Sequence, residues 1–373
     1  MKIEMVDLQG QYDQIRDEVN AGIQQVLDSC AFINGPQVKK FCEHLAQYNQ
    51  VNHVIPCANG TDALQIALMA IGLKPGDEVI VPVHTYVATA EVIALLQLTP
   101  VFIDCNDDFF TIDTTQLENK ITPRTKAIVP VHLYGQCADM EAIMTIAKQH
   151  NLYVIEDTAQ AIGAAYRFSD GKTQKAGCIG DIGTTSFFPS KNLGCYGDGG
   201  ALFINNDNLA SKARMIANHG QSMKYHHDII GCNSRLDTLQ AAILDVKLKY
   251  LDQYQNARNK VADAYDHALK NIPGIIIPKR YAQSTHVFHQ YTIRVTNGKR
   301  DELKEYLASK DIPSMIYYPI PLHQQKAYQN ISTEKFPVSE QLSREVLSIP
   351  MHTEMKKEQI CYITDTISTF FKG

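Results

Sequence analysis

The chain has 373 residues, 45% of them apolar and 20% charged, with a formal net charge of -5. That is the make-up of an ordinary globular protein long enough for two domains, and the negative balance argues against a nucleic-acid surface. Nine cysteines without CxxC spacing argue against a disulfide framework and for a reducing cytoplasm, and neither a signal-peptide core nor a membrane-length apolar run is present.

Ile15, Val19, Ile23, Val26 and Leu27 recur at helical spacing and predict an amphipathic helix over 11–30. Phe32 to Pro36 reads as a turn, and Pro36 starts a second helix through about Tyr48. Val54-Ile55 is a short buried strand that leads into the small-residue turn Ala58-Asn59-Gly60-Thr61-Asp62-Ala63-Leu64 and a helix. Strand and helix then alternate, with strands at 78–82, 100–104, 125–131 and 152–155 and helices at 87–96 and 140–150. This rhythm predicts an α/β domain on a mainly parallel sheet, in which ligands bind beyond the carboxyl ends of the strands. Gly60-Thr61, Thr85-Tyr86, His132 to Gln136 and Asp157 all fall at such ends.

Residues 165–180 read as a surface hairpin and 221–233 as a polar loop. Residues 236–269 form one long, broken helix, with a domain boundary expected near 250. The expected division is a large α/β domain over 1–250 and a smaller α+β domain over 251–373. The smaller one has strands at 290–295 and 314–318 and helices near 299–309, 338–347 and 356–371.

The most telling stretch runs from Ser186 to Gly200. An apolar strand delivers a lone lysine, Lys191, between aromatic residues and glycines, with no charged neighbour before Asp198. Burial lowers a lysine pKa and turns the amine into a Schiff-base nucleophile. Three further features fit the same cofactor, pyridoxal phosphate. Asp157, at the end of a buried strand, can pair with the pyridine nitrogen and keep the ring an electron sink. Gln160, about one helical turn on, can reach the ring hydroxyl. Gly60-Thr61 at a helix start makes an anion site for the phosphate, with Ser186 supplying a further hydroxyl. Tyr86 can stack on the ring. Each feature also has a plainer reading: a helix cap, a strand serine, a core tyrosine.

Together these segments resemble the sugar aminotransferases of the DegT/DnrJ/EryC1/StrS family, which have the aspartate-aminotransferase fold (fold type I). The likeness is carried by Ala58 to Leu64, Thr85 to Ala90, Val131 to Gln136, Glu156-Asp157-Thr158-Ala159-Gln160, Ser186 to Gly200, Asn233 to Asp237 and Tyr318 to His323. It implies a homodimer with shared active sites. L-Glutamate would give its amino group to a UDP- or dTDP-linked keto-sugar, and 2-oxoglutarate would leave. By resemblance Lys191 is the Schiff-base lysine, Asp157 the pyridine partner and Gln160 the ring-hydroxyl partner. Gly60, Thr61 and Ser186 form the phosphate cradle, and Asn233 reaches the phosphate from the neighbouring subunit. Arg235, Tyr317, Tyr318 and His323 lie where the family contacts the nucleotide-sugar. Many members have His-Tyr-Pro where this chain has Tyr317-Tyr318-Pro319, which bears on the identity of the sugar.

Rival readings are weaker. Sugar dehydratases of the same family carry histidine at the lysine position. A non-catalytic regulatory homologue would tolerate loss of Lys191 or Asp157. A nicotinamide or P-loop enzyme needs glycine motifs that are absent. His226-His227, with His219, lacks the carboxylate spacing of a metal site.

Overall fold

The structure, a computed structural model, describes residues 1–372. A seven-stranded sheet forms its centre. The strands run in the order His53–Cys57, Gly200–Ile204, Ile182–Ser186, Tyr153–Asp157, Thr125–Ile128, Glu78–Pro82, Thr99–Ile103. The last five are mutually parallel, while Gly200–Ile204 runs antiparallel to both its neighbours.

Side chains alternate across this sheet as a strand requires. Ile55, Val79, Val81, Ile155, Ile182 and Leu202 pack with the helices Gly60–Ala70, Ala88–Leu95 and Asp207–Ala217. Val54, Ile80, Ile128, Val154 and Phe203 point the other way, toward the helices Pro36–Asn49, Met140–His150 and Thr238–Leu248. Both faces are covered, so the strands read as continuous apolar runs.

A second core gathers Val261, Tyr265, Leu269, Ile293, Leu303, Leu347 and Ile363, joined by Ile3 from the start of the chain. Its three-stranded antiparallel sheet is Ile275–Ile276, Tyr291–Val295, Val346–Ile349. The long helical stretch breaks at Lys249-Tyr250, between Thr238–Leu248 and Leu251–Leu269. The chain then crosses back. Leu322, Tyr328 and Phe336 fill the first core, not the second. Asp104, just past the strand Thr99–Ile103, accepts from the amides of Val338 (3.0 Å) and Ser339 (2.8 Å) at the start of the helix Pro337–Glu345. A carboxylate there neutralises the exposed helix amides and pins the segment to the sheet.

Two expected elements differ. Residues 314–318 do not form a strand; Met315 alone bridges to Ser348, and Pro313 and Pro319 on either side remove ladder donors. The place beside Tyr291–Val295 goes to the β-rich Val346–Ile349, which the periodicity had folded into the preceding helix. The polar loop 221–233 contains a small hairpin, Gln221–Met223 with His226–His227.

The strand that delivers Asp157 is fixed by the residue before it. Glu156 faces the opposite side and is fully buried. Its carboxylate accepts from the amides of Gly177 (2.9 Å), Ile179 (2.7 Å) and Gly180 (2.7 Å) and from His132 Nε2 (2.9 Å). The Ala138 amide donates to His132 Nδ1 (3.1 Å), so the ring proton sits on Nε2 and points at Glu156. Glu156→Ala would strand four donors in the core. It is expected to cost about 3–5 kcal/mol in urea unfolding.

Candidate active site

The parallel register brings four strand ends to one edge of the sheet. Cys57 pairs with Gly200, and Gly200 with Ser186, so the helix that opens at Gly60 starts beside the end of Ile182–Ser186. Asp157 ends the next strand, and His84-Thr85-Tyr86 follow Glu78–Pro82.

Asp157 is buried and held from both sides. Its amide donates to Pro130 O (2.9 Å) and its carbonyl accepts from the His132 amide (3.0 Å). Its carboxylate accepts from Thr89 Oγ1 (2.9 Å) and the Ala159 amide (3.1 Å). Thr89 thus aims the carboxylate.

Lys191 sits in a tight loop. Its amide donates to Phe188 O (2.8 Å), and the Cys195 amide to Phe187 O (2.8 Å). Asn192 Nδ2 ties the loop to Val287 O (2.9 Å), and the buried Lys247 Nζ ties it to Gly194 O (2.6 Å). The Lys191 side chain keeps some surface, as an amine that must meet a ligand requires, but protein surrounds it. Desolvation pushes its pKa down to about 8, partly opposed by the Asp157 charge. The buried His289 lies close enough that the Lys191 charge, after desolvation, helps hold it neutral.

Gly60 and Gly200 allow the close approach at the sheet edge. A Cβ on Gly60 would meet Ser186 Cβ at 2.7 Å, and one on Gly200 would meet Asn59 O at 2.4 Å. Asn59 Oδ1 caps the helix through the Asp62 amide (2.8 Å), leaving the amides of Gly60 and Thr61 without intrahelical acceptors. Ser234 binds this helix start, accepting from the Ala58 amide (2.9 Å) and donating to Asp62 Oδ2 (2.6 Å). It holds Asn233, which is exposed, and the half-buried Arg235 on either side.

An aromatic wall lies opposite. Tyr86 is 58% exposed, and its ring stands 6.1 Å from that of Tyr318. Gln160 Nε2 donates to Tyr318 Oη (3.2 Å), and Gln160 Oε1 accepts from the Tyr134 amide (2.7 Å). Tyr317 is half-buried beside Tyr318. His323 is turned elsewhere: it is buried, with Nε2 at 3.2 Å from Glu340 and its ring against Phe336 (4.8 Å).

Lys191, Asp157, Gln160, Ser186, Gly60, Thr61, Tyr86 and Tyr318 therefore converge through linked elements, while His323 makes its contacts within the first core. Sequence reasoning missed Thr89, His84, Tyr134 and His289. Thr89 and Tyr134 lie within the motif segments Thr85 to Ala90 and Val131 to Gln136, and His84 directly precedes the first of them; only His289 offered no signal.

The arrangement fits pyridoxal phosphate. Among the described residues no hydrogen bond or ion pair engages the Lys191 amine, and Asp157 is the charge it feels. The polar atoms Thr85 Oγ1, Asn192 Oδ1 and His84 Nδ1 are buried without partners around the same edge. The amides of Gly60 and Thr61 lie free at the end of the neighbouring strand Ile182–Ser186. No cluster of three or more His, Cys, Asp or Glu side chains able to hold a metal occurs among the described residues.

Fold and site define the class of pyridoxal-phosphate-dependent aminotransferases. The sequence profile of the DegT/DnrJ/EryC1/StrS aminotransferase family matches residues 13–368, and the chain belongs to that family. A pleiotropic regulatory protein from Geobacillus stearothermophilus is 47% identical, covering 100% of this chain and 99% of its own. The UDP-2-acetamido-2-deoxy-3-oxo-D-glucuronate aminotransferase of Pseudomonas aeruginosa is 48% identical, covering 94% of this chain and 95% of its own. Among solved structures, S. venezuelae DesV in complex with a ketimine intermediate superposes with a TM-score of 0.95 at 38% identity, covering 100% of this chain and 99% of that one. The structure of ntda from Bacillus subtilis with bound cofactor pmp gives 0.92 at 32%, covering 100% and 86%.

A depressed lysine pKa is a stability statement. The unfolded chain binds this proton below about 10.5 and the fold only below about 8. The penalty is therefore absent above the unfolded value, grows as pH falls between the two, and is complete below 8. Lys191→Met is expected to stabilise the cofactor-free protein by about 1–3 kcal/mol at pH 7. Urea titrations should show that gain shrinking between pH 8 and 10.

Proposed function

We propose that this chain is an aminotransferase that moves an amino group from L-glutamate to a nucleotide-linked keto-sugar, with C3 of a UDP- or dTDP-linked hexose favoured. The observation that carries the reading is the unpaired Lys191 amine, shifted toward neutrality beside Asp157, in a chain of this family.

On this reading Gly60, Thr61 and Ser186 hold the cofactor phosphate, and Tyr86 covers the ring. Asp157, aimed by Thr89, faces the ring nitrogen, and Gln160 faces the ring hydroxyl. When bound, pyridoxal phosphate supplies the electron-withdrawing ring and the carbonyl that take up the amino group and the electron pair freed at the donor Cα. Lys191 would hold the cofactor through its amine. Its Nζ, when free, would remove the proton from glutamate Cα. In the second half of the cycle Nζ delivers a proton to the sugar carbon that carried the keto oxygen. A pKa near 8 suits both tasks, since the amine must lose and regain a proton near neutrality. The products are 2-oxoglutarate and an amino-sugar nucleotide. Arg235, Tyr317 and Tyr318 contact the nucleotide-sugar. His323 would act there only after leaving Glu340.

The 58% exposure of Tyr86 and the outward position of Asn233 support a homodimer in which a second copy closes each site and excludes water. The helix break at Lys249-Tyr250 supports a domain boundary near 250, with 314–345 returning to the first unit. No described helix is long and apolar enough to cross a membrane, and the nine free cysteines support a cytoplasmic location.

The relative named as a regulatory protein favours one second reading, a homologue that binds the cofactor without turnover. The absorbance spectrum of the protein with pyridoxal phosphate separates the two. The aminotransferase reading expects a band that responds to L-glutamate, is lost in Lys191→Ala, and responds about 10²-fold or more slowly in Asp157→Asn. A band indifferent to glutamate would overturn it. Gly60→Ala is expected to weaken pyridoxal phosphate binding about tenfold or more in a fluorescence titration, because the added methyl collides with Ser186 at the phosphate amides.

A further inference from the structure

We propose that Tyr134 is a positioning residue for the sugar, acting through the Tyr317-Tyr318 segment, with His84 orienting its hydroxyl. The inference rests on the nucleotide-sugar reading above and deepens it.

Tyr134 is buried at 2% exposure in the short 3-10 turn Leu133–Gly135, with its ring edge against Phe110 at 5.2 Å between centroids. Its main chain is left-handed (φ 59°), which turns its amide onto Gln160 Oε1 (2.7 Å). Its hydroxyl meets two groups, the Tyr317 carbonyl and His84 Nε2 (3.2 Å). The proton order follows from chemistry. A carbonyl has no proton, so Tyr134 must donate to Tyr317 O, and burial keeps the phenol protonated for that purpose. The hydroxyl then accepts from His84, whose single ring proton must sit on Nε2. Burial, against a nearby Asp104, pushes the His84 pKa down to about 4, so the ring is neutral, and its bare Nδ1 has no partner.

The chain His84–Tyr134–Tyr317 is thus directional. It ends on the main chain of the segment whose departure from the family pattern bears on the sugar. The same tyrosine reaches the cofactor side by another route. Its amide holds Gln160, whose Nε2 donates to Tyr318 Oη (3.2 Å). The two routes are chemically separable. Tyr134→Phe keeps the ring, the left-handed turn and the amide to Gln160; it removes the hydroxyl, and with it the tie to Tyr317 and the acceptor for His84 Nε2. A merely structural tyrosine would weaken everything together. A positioning tyrosine splits the two half-reactions, because glutamate does not use the sugar contact.

The test uses the cofactor-loaded enzyme and its Tyr134→Phe variant. The absorbance response to L-glutamate is expected to stay within about twofold of the parent rate. Calorimetric binding of UDP-N-acetylglucosamine is expected to weaken about 5–10-fold, the scale of one buried hydrogen bond. KM for a UDP-linked 3-keto hexose should rise in step, with kcat changed less. His84→Gln, which keeps a donor, should fall between the parent enzyme and His84→Ala. Equal losses in the glutamate response and in sugar binding would overturn the inference, and so would unchanged sugar binding in Tyr134→Phe. Binding of the probe by the parent protein tests the nucleotide-sugar reading; the ratio of variant to parent tests the role of Tyr134.

Discussion

The structure depends on keeping one amine unpaired in a place where proteins seldom leave a charge. Lys191 has Asp157 in electrostatic range but no ion-pair partner, and desolvation outweighs that attraction. A salt bridge would have restored the ordinary pKa and abolished the nucleophile. The surrounding construction serves this separation. Thr89 and the Ala159 amide occupy the Asp157 carboxylate, and the Glu156–His132 pair on the opposite face fixes the strand beneath it. The lysine loop is stitched by its own main chain, by Asn192 and by Lys247. The stability given up at Lys191 is offset by burial of apolar side chains on both faces of the central sheet.

Much of this was legible in the residues because it is local. The alternation of strand and helix through residues 53–157, the proline start at Pro36 and the small-residue turn at Gly60 are short-range signals, and the elements appear within a residue or two of their expected bounds, except that the strand expected over 125–131 ends at Ile128. The clustering of Gly60, Ser186, Asp157 and Lys191 follows from the rule that parallel strands end on one side. What stayed hidden is long-range pairing. Glu156 looked like half of an acidic dipeptide, and only the fold shows it meeting amides more than twenty residues away. Thr89 reads as a helix residue until the sheet register carries it to Asp157, 68 positions on. His323 differs in the opposite direction. Its motif neighbours suggested a ligand contact, but the fold turns it to Glu340 and Phe336. The misassigned strand at 314–318 has the same origin, since an edge position is awarded by competition between segments distant in sequence.

The polar network on the far wall links Gln160 to the Tyr317-Tyr318 segment by two routes. Gln160 joins the cofactor side to Tyr318, and Tyr134 spans Gln160 and Tyr317. Parts of this network are main chain and indifferent to side-chain identity. The side chain at 317 can therefore vary while the tie through its carbonyl stays.

The return of Leu322, Tyr328 and Phe336 to the first core has a consequence for how such a chain can diversify. The polypeptide passes between its two cores more than once, so neither unit is a contiguous module that recombination could exchange intact. A graft at residue 250 would carry away part of the other unit's interior. A protein built this way changes more readily by point substitution, as along the stretch that holds Tyr317 and Tyr318, than by exchange of a unit. Such a scaffold is inherited whole.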